Sequence, residues 1–266
     1  MNCIEAHWDL RAPSYDEFVV KGFSDSRERR AWQDHFASIL GDEPLNILDT
    51  GCGPGIVSMQ LAEMGHKMTS VDISEDMIAC ARKNAERNGL SIEFHKGDAM
   101  SLAFADESFD AVVSDYMLWT VPDPEKVFSE WMRVLRPGGT LAFTDGDWFH
   151  DPKSTRLRRG ISSIFYRLEG GRGDDGDMDG FEDEPLWSRN AKRPSEDLRM
   201  ARNAGFEDIR LIPDVQKRVL HGARYLAHGL TNTHYTVVAR KPLSLRCTDE
   251  ERERDADLVP VLTQSA

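Results

Sequence analysis

Apolar residues along the chain recur with two alternating periods. Residues 26–40 set Trp32, Phe36, Ile39 and Leu40 on one helical face, and Gly41 stops the run. The short apolar run LNILD at 45–49 reads as a strand that ends in an acid. IVSMQLAEMG at 56–65 returns to helical spacing through Val57, Leu61 and Met64. MTSVD at 68–72 is a second strand. Ser74 then stands where a helix needs a cap, with Glu75 and Asp76 in the first turn; Met77, Ala81 and Ala85 continue the face and Gly89 ends it. SIEFH at 91–95 and FDAVVS at 109–114 are the third and fourth strands. Asp123-Pro124 starts a helix whose buried stripe is Val127, Phe128, Trp131 and Leu135. RPGG at 136–139 breaks it, and TLAFTD at 140–145 is the fifth strand.

Strands and helices alternating at this spacing predict an α/β fold, a mostly parallel sheet covered on both faces. The regularity stops near residue 146. Residues 146–194 hold a basic stretch, KSTRLRRG, a short apolar run, ISSIFY, and the acidic, glycine-rich GGRGDDGDMDGFEDE. The alternation resumes with SEDLRMARNAGF at 195–206, a helix expected to be capped by Ser195 and ended by Gly205, then strands at 207–212 and 234–240. The expected organisation is an N-terminal helical segment at 1–44, a core at 45–145, an insertion at 146–194, completion of the core at 195–242 and a polar tail at 243–266. The chain shows no internal repeat.

Charge narrows the class of partner. The formal net charge is -13, which argues against a nucleic-acid binder, since those carry a basic surplus. Residues 170–184 contribute seven acids against one base, and residues 243–266 six against three, so the rest of the chain is only mildly acidic. Cys3, Cys52, Cys80 and Cys247 follow no metal-ligand spacing and read as reduced thiols of a cytoplasmic protein. The first ten residues include His7, Trp8 and Asp9, so no signal peptide is expected. No apolar run reaches the roughly 18–20 residues of a membrane span, and no membrane partner is expected.

ILDTGCGPG at 47–55 is the stretch that carries chemistry. A glycine loop between the first strand and first helix of a parallel sheet marks a ligand site. The dinucleotide pattern G-x-G-x-x-G would need its third glycine at position 56, where Ile56 stands. The loop instead has Gly51, Gly53 and Gly55, with Asp49 two residues before the first. This stretch resembles motif I of the class I S-adenosylmethionine (SAM)-dependent methyltransferases. The resemblance extends over residues 45–145 and more loosely to 242: VD at 71–72 ends strand two, GDA at 97–99 follows strand three, and FDAVVS and VLRPGG fall in order. Five matches at the right spacing are far more specific than one glycine loop.

The resemblance implies a doubly wound, mostly parallel seven-stranded sheet with a helical and loop insertion after strand five. It also implies SAM as cofactor, with Asp72 on the ribose hydroxyls and Asp98 and Ala99 at the adenine edge. Asp49, Gly51, Cys52 and Gly53 fall along the methionine and ribose, with Ile73, Met77 and Ser114 as further contacts. Thr50 stands where an aliphatic residue is expected. HWDLRAPSYDEF at 7–18 resembles the segment before the fold in small-molecule members, which makes Tyr15 a lid residue over SAM. Physically, glycines admit close backbone approach, and a carboxylate can accept from two hydroxyls at once.

The same resemblance places the methyl acceptor at SDYMLWTVPDP, residues 114–124. Asp115, Tyr116 and His150 are the candidate catalytic residues, and Trp119, Asp147 and Trp148 the candidate acceptor contacts. No Asn/Asp-Pro-Pro-aromatic run stands there, which weakens an amide or adenine acceptor. DGDMDG at 175–180 copies half of a calcium loop, but Glu182 and Leu186 break the pattern, and no metal is expected. The expected function is methyl transfer to a small molecule by a monomer or homodimer. A SAM-binding sensor without catalysis, and a methyltransferase acting on RNA or protein, stand as alternatives.

Overall fold

The computed structural model describes residues 3–150, 156–168, 186–230 and 233–243. The whole acidic stretch at 170–184, with the partial calcium loop inside it, and the polar tail beyond residue 243 lie outside the described residues. Two helices open the chain, α1 (Cys3–Ser24) and α2 (Ser26–Leu40). Asp25 separates them: its carboxylate accepts from the N–H groups of Arg27 and Glu28 and caps α2.

The alternating core follows as β1 (Asn46–Thr50), α3 (Ile56–Glu63), β2 (Lys67–Asp72), α4 (Glu75–Arg87), β3 (Glu93–Lys96), β4 (Phe109–Asp115), α5 (Pro124–Val134) and β5 (Leu135–Gly146). Beyond it come α6 (Arg156–Leu168), α7 (Ser195–Asn203), β6 (Glu207–Pro213), α8 (Gln216–Val219), α9 (Gly222–His228) and β7 (His234–Arg240). The strands form one seven-stranded sheet in the order β3-β2-β1-β4-β5-β7-β6. All pairs are parallel except those of β7, which runs against both β5 and β6.

Side-chain alternation along each strand divides the core between the two faces. Leu48, Val112, Leu141, Val237 and Phe143 pack with Phe128 and Trp131 of α5 on one face. Ile47, Ala111, Val113, Ala142 and Val238 pack with Phe36, Ile39 and Leu61 of α2 and α3 on the other. Thr50, unexpected in the sequence, has a place here: its hydroxyl accepts from the buried indole N–H of Trp131 at 3.0 Å.

Two boundaries differ from the sequence reading. β5 starts at Leu135, the residue expected to close the α5 stripe, and runs through RPGG. The pairing shifts register between Phe109 and Ala111, and Gly138, at a φ of 76°, takes up the extra chain. At α7, the cap position is Pro194 and makes no side-chain bond, so Ser195 is the first helical residue rather than the cap. Ser74 and Asp123 do cap α4 and α5 through Met77 N–H and Lys126 N–H.

Candidate active site

After Thr50 the chain turns through Gly51, Gly53 and Gly55 with φ of 70°, 50° and 85°. These are left-handed conformations that glycine adopts without penalty. Space is also short, because a Cβ on Gly51 would lie 2.3 Å from Cγ of Met117. The N–H groups of Gly51 and Cys52 both donate to the carbonyl of Val71, at 2.8 and 3.0 Å, which binds the loop to the end of β2. Asp72 completes the clamp: its carboxylate accepts from Gly53 N–H at 2.8 Å and from Ser74 N–H at 2.9 Å.

Helix α1 closes over this loop. Ser74 donates to Asp9 at 2.6 Å, Asn84 donates to Asp16 at 2.6 Å, and Lys96 pairs with Glu5 at 2.7 Å. Tyr15 consequently stands above the loop, 3.8 Å from where a Cβ on Gly53 would be. It packs edge-on against Trp8 with ring centroids 5.7 Å apart.

A cavity of about 360 Å³ opens at the ends of β1, β2 and β4 and continues beneath α1, α8 and α9. Small-molecule sites commonly occupy ~300–1,000 Å³. One stretch of wall comes from Asp49, Gly51 to Pro54, Asp72, Ile73, Met77 and Gly97 to Met100. Another comes from Phe18, Val19, Phe23, Trp32, Val219, Leu220 and Ala227, with Glu28, Arg224, Gln60 and His228 among them. Glu28 and Arg224 form an ion pair at 2.6 Å. Asp115, Tyr116, Trp119, Trp148 and His234 also line the cavity.

Burial raises three carboxyls in this wall above their ordinary range. Asp115 is pushed up to about 8 by burial, with Asp49 and Asp145 adding to the rise and the Thr144 hydroxyl opposing it. Asp49 rises to about 7 for the same main reason, against the hydrogen bond from Ser58. Asp72 rises to about 6 by burial, with the N–H groups of Ser74 and Gly53 opposing. A wall of carboxyls kept from water favours a cationic ligand, which would stabilise their charged forms. SAM carries a sulfonium and an ammonium group. The glycine cradle, the acids and the cavity size all fit it.

Tyr116 holds a φ of 55°, unusual for a bulky residue. Its hydroxyl lies 3.0 Å from Nδ1 of His234. Burial pushes its phenol well above the usual range, so it stays protonated and serves as a hydrogen-bonding group. Trp119 is buried, and its indole donates to the carbonyl of Tyr116 at 2.9 Å. Asp145 fixes the walls from behind: it accepts from Trp119 N–H at 3.2 Å and from the Trp148 indole at 3.1 Å, and pairs with Arg193 at 3.0 Å.

The structure brings most of the expected residues to one cavity, but three lie elsewhere. Ser114 is buried and donates to the carbonyl of Thr50 at 2.7 Å, so its hydroxyl joins β4 to β1. Asp147 accepts from the N–H groups of Phe149 and His150, at 3.3 and 2.9 Å, and orders the turn after β5. His150 is half exposed, 3.6 Å from Asp147, and is not among the residues lining the cavity. The cover comes from α1, α8 and α9; beyond Trp148, no described residue of 146–194 lines the cavity. The sequence reading missed Phe18, Glu28, Gln60, Arg224, His228 and His234. Glu28 and Arg224 are 196 positions apart, and no local pattern joins them. Among the described residues no cluster of His, Cys, Asp or Glu could hold a metal ion, and no helix is long and apolar enough to cross a membrane.

Comparison with known proteins places this arrangement. A family model described as a methyltransferase domain matches residues 48–143. The ubiquinone/menaquinone biosynthesis C-methyltransferase of Bradyrhizobium diazoefficiens is 31% identical over 190 residues, 68% of this chain and 74% of that protein. The demethylmenaquinone methyltransferase of Renibacterium salmoninarum is 34% identical over 143 residues, 53% of this chain and 58% of that protein's length. Among solved structures, the [4+2]-cyclase SpnF is similar with a TM-score of 0.56 and 25% identity, over 81% of this chain and 82% of that one. The chain belongs to the class I SAM-dependent methyltransferase family. The cyclase is a reminder that one fold supports more than one reaction.

Proposed function

We propose that this chain transfers the methyl group of SAM to a largely apolar small molecule held beneath α1, α8 and α9. The observation that carries the reading is the continuity of one cavity from the glycine loop and Asp72, past Asp115 and Tyr116, to an apolar wall. Bound SAM would supply an electrophilic methyl group for in-line displacement. Asp72 accepts from the ribose hydroxyls, Asp98 and Ala99 meet the adenine, and Asp49 favours the cationic end. Tyr15 and α1 keep water out. With a carboxyl at about 8, Asp115 works near the pH of the medium, the range that suits a general base for an O–H, N–H or C–H acceptor. Tyr116 and His234 orient the acceptor by hydrogen bonding, and Trp119 and Trp148 shape the wall.

Electrostatics weighs against an anionic acceptor, and the apolar wall supports a largely apolar one. Glu28, Asp49, Asp72, Asp98 and Asp115 are acidic, whereas Arg224 is the one guanidinium among the described lining residues and is paired with Glu28. The names of relatives, demethylmenaquinone methyltransferase and ubiquinone biosynthesis O-methyltransferase, support a small-molecule acceptor. A net charge of -13 weighs against RNA. The free thiols of Cys52 and Cys80 suit a cytoplasmic enzyme. One chain supplies the described wall, so a monomer or homodimer suffices. The test is mass-spectrometric detection of S-adenosylhomocysteine after incubation with SAM and a panel of phenols, quinols and uncharged amines. SAM binding without product from any of them, or from extract metabolites, would leave a SAM-binding protein without transfer.

A further inference from the structure

Leu157, Ile164 and Leu168 are 74%, 60% and 75% exposed, and all three stand on the 13-residue helix α6. The other exposed large apolar side chains among the described residues, Leu10, Leu211 and Leu243, are scattered singly and need no explanation. At ~100° per residue, positions 157, 161, 164 and 168 form one stripe along the helix. Ser162, off that stripe, donates to the carbonyl of Ala227 on α9. Helix α6 therefore rests on α9 by another side and turns the stripe outward. Arg158 and Arg167 are exposed and flank the stripe on its two sides, about 90° away, Arg159 lies on the opposite face, and the helix sequence RLRRGISSIFYRL contains no acid.

We propose that α6 lies along the surface of an anionic lipid bilayer, with its apolar stripe among the acyl chains and the flanking Arg158 and Arg167 at the lipid phosphates. A helix of this length is too short to span, since crossing takes about 20 residues, but an amphipathic basic helix suits the interface. Charge complementarity selects the occupant. A second copy would bring arginine against arginine, whereas lipid phosphates neutralise them. The rest of the chain is acidic, so this helix is a local reversal of sign. Its position has a use. Helix α9, on which α6 rests, supplies Arg224, Ala227 and His228 to the cavity wall. The apolar wall thus lies one helix away from the bilayer, where an apolar acceptor collects.

The test needs no acceptor, so it is separate from the proof of methyl transfer. The whole chain is mixed with vesicles of phosphatidylcholine alone, or of phosphatidylcholine with phosphatidylglycerol, and co-flotation is measured. Binding to the anionic vesicles only, weakened at about 0.5 M salt, is expected. Leu157→Asp with Ile164→Asp, and separately Arg158→Glu with Arg167→Glu, should each lower the bound fraction by about tenfold or more. Calorimetric SAM affinity should stay at the wild-type value in both, showing that the variants are folded. Wild-type protein that does not float with anionic vesicles overturns the proposal, as does binding unchanged in both variants. So does a wild-type dimer that Leu157→Asp with Ile164→Asp dissolves without any vesicle binding, since the stripe then belongs to a second copy. Vesicle binding that emerges only on deletion of residues 170–184 also overturns it, in favour of that acidic segment as the occupant.

Discussion

The Tyr116 hydroxyl and Nδ1 of His234 meet at 3.0 Å across 118 positions of sequence, tying the loop after β4 to the first residue of β7. Trp148 packs against both rings, with centroids 5.8 and 5.3 Å away. Tyr116→Phe should keep this packing and lose one hydrogen bond, at a stability cost of about 1 kcal/mol. Acceptor turnover should fall while SAM affinity holds, as read by product formation and calorimetry. A matching fall in SAM affinity would move Tyr116 into the cofactor site.

Asp72→Ala removes the acceptor of two backbone N–H groups and, in the proposed binding mode, of the ribose hydroxyls. SAM affinity should weaken by roughly 2–4 kcal/mol, and the melting temperature should fall as well, because Gly53 and Ser74 lose their partner. Unchanged affinity in calorimetry would end the ribose assignment.

The raised carboxyls predict opposite pH trends for the free and bound protein. In the unfolded chain Asp115 ionises near ~4, but in the fold it keeps its proton up to about 8. The folded state therefore holds the extra proton between these values. Stability of the ligand-free protein should decline as pH rises through that window, with no penalty below it and the full penalty above it. Asp115→Asn should flatten the decline in urea titrations. SAM affinity should rise, by roughly tenfold, as Asp72 and Asp49 ionise at about 6 and about 7. A pH-independent SAM affinity would mean that these acids do not face its charges.

Arg193 is buried between Asp145 and Asp197, 3.0 and 2.9 Å away, and Asp197 also accepts from Tyr235. Arg193→Met would leave two buried carboxylates without their cation, a loss of about 3–5 kcal/mol. Because Asp145 orders Trp119 and Trp148, acceptor turnover should fall further than SAM affinity. A melting temperature within a degree or so of wild type would show that the ion group is dispensable.

Gly51→Ala places a side chain at a φ of 70° and against Met117. Left-handed backbone alone costs an alanine about 1–2 kcal/mol. SAM binding should be lost or weakened at least about tenfold in calorimetry, and Gly41→Ala, where nothing lies within 4 Å, should leave it unchanged.

The cofactor side was legible in the sequence because its parts are local. Strand ends, glycines and caps lie within a few residues of one another, so the pattern that forms the Ser74 cap and the loop at 51–55 also marks the proposed cofactor site. The acceptor side is assembled from distant chain. His234 gives no sign of its task beyond opening an apolar strand, and Glu28 reads as one more polar position on α2. Helices α8 and α9 are too short for helical periodicity to reveal them. Asp147 and His150 misled because the end of a strand is the right place for a functional residue. The chain there turns away, and Asp147 is consumed in ordering that turn.

The placement of β7 between β5 and β6 bears on how the protein is made. During synthesis β6 leaves the ribosome first, yet its sole neighbour in the sheet, among the described residues, is β7. Until residues 234–240 emerge, β5 has a bare edge and β6 has nowhere to dock. His234 and the wall from α8 and α9 are missing for the same interval. A ribosome stalled just past Pro213 should hold a nascent chain that has its glycine loop but no closed acceptor chamber, and that is exposed to chaperones through an open strand edge.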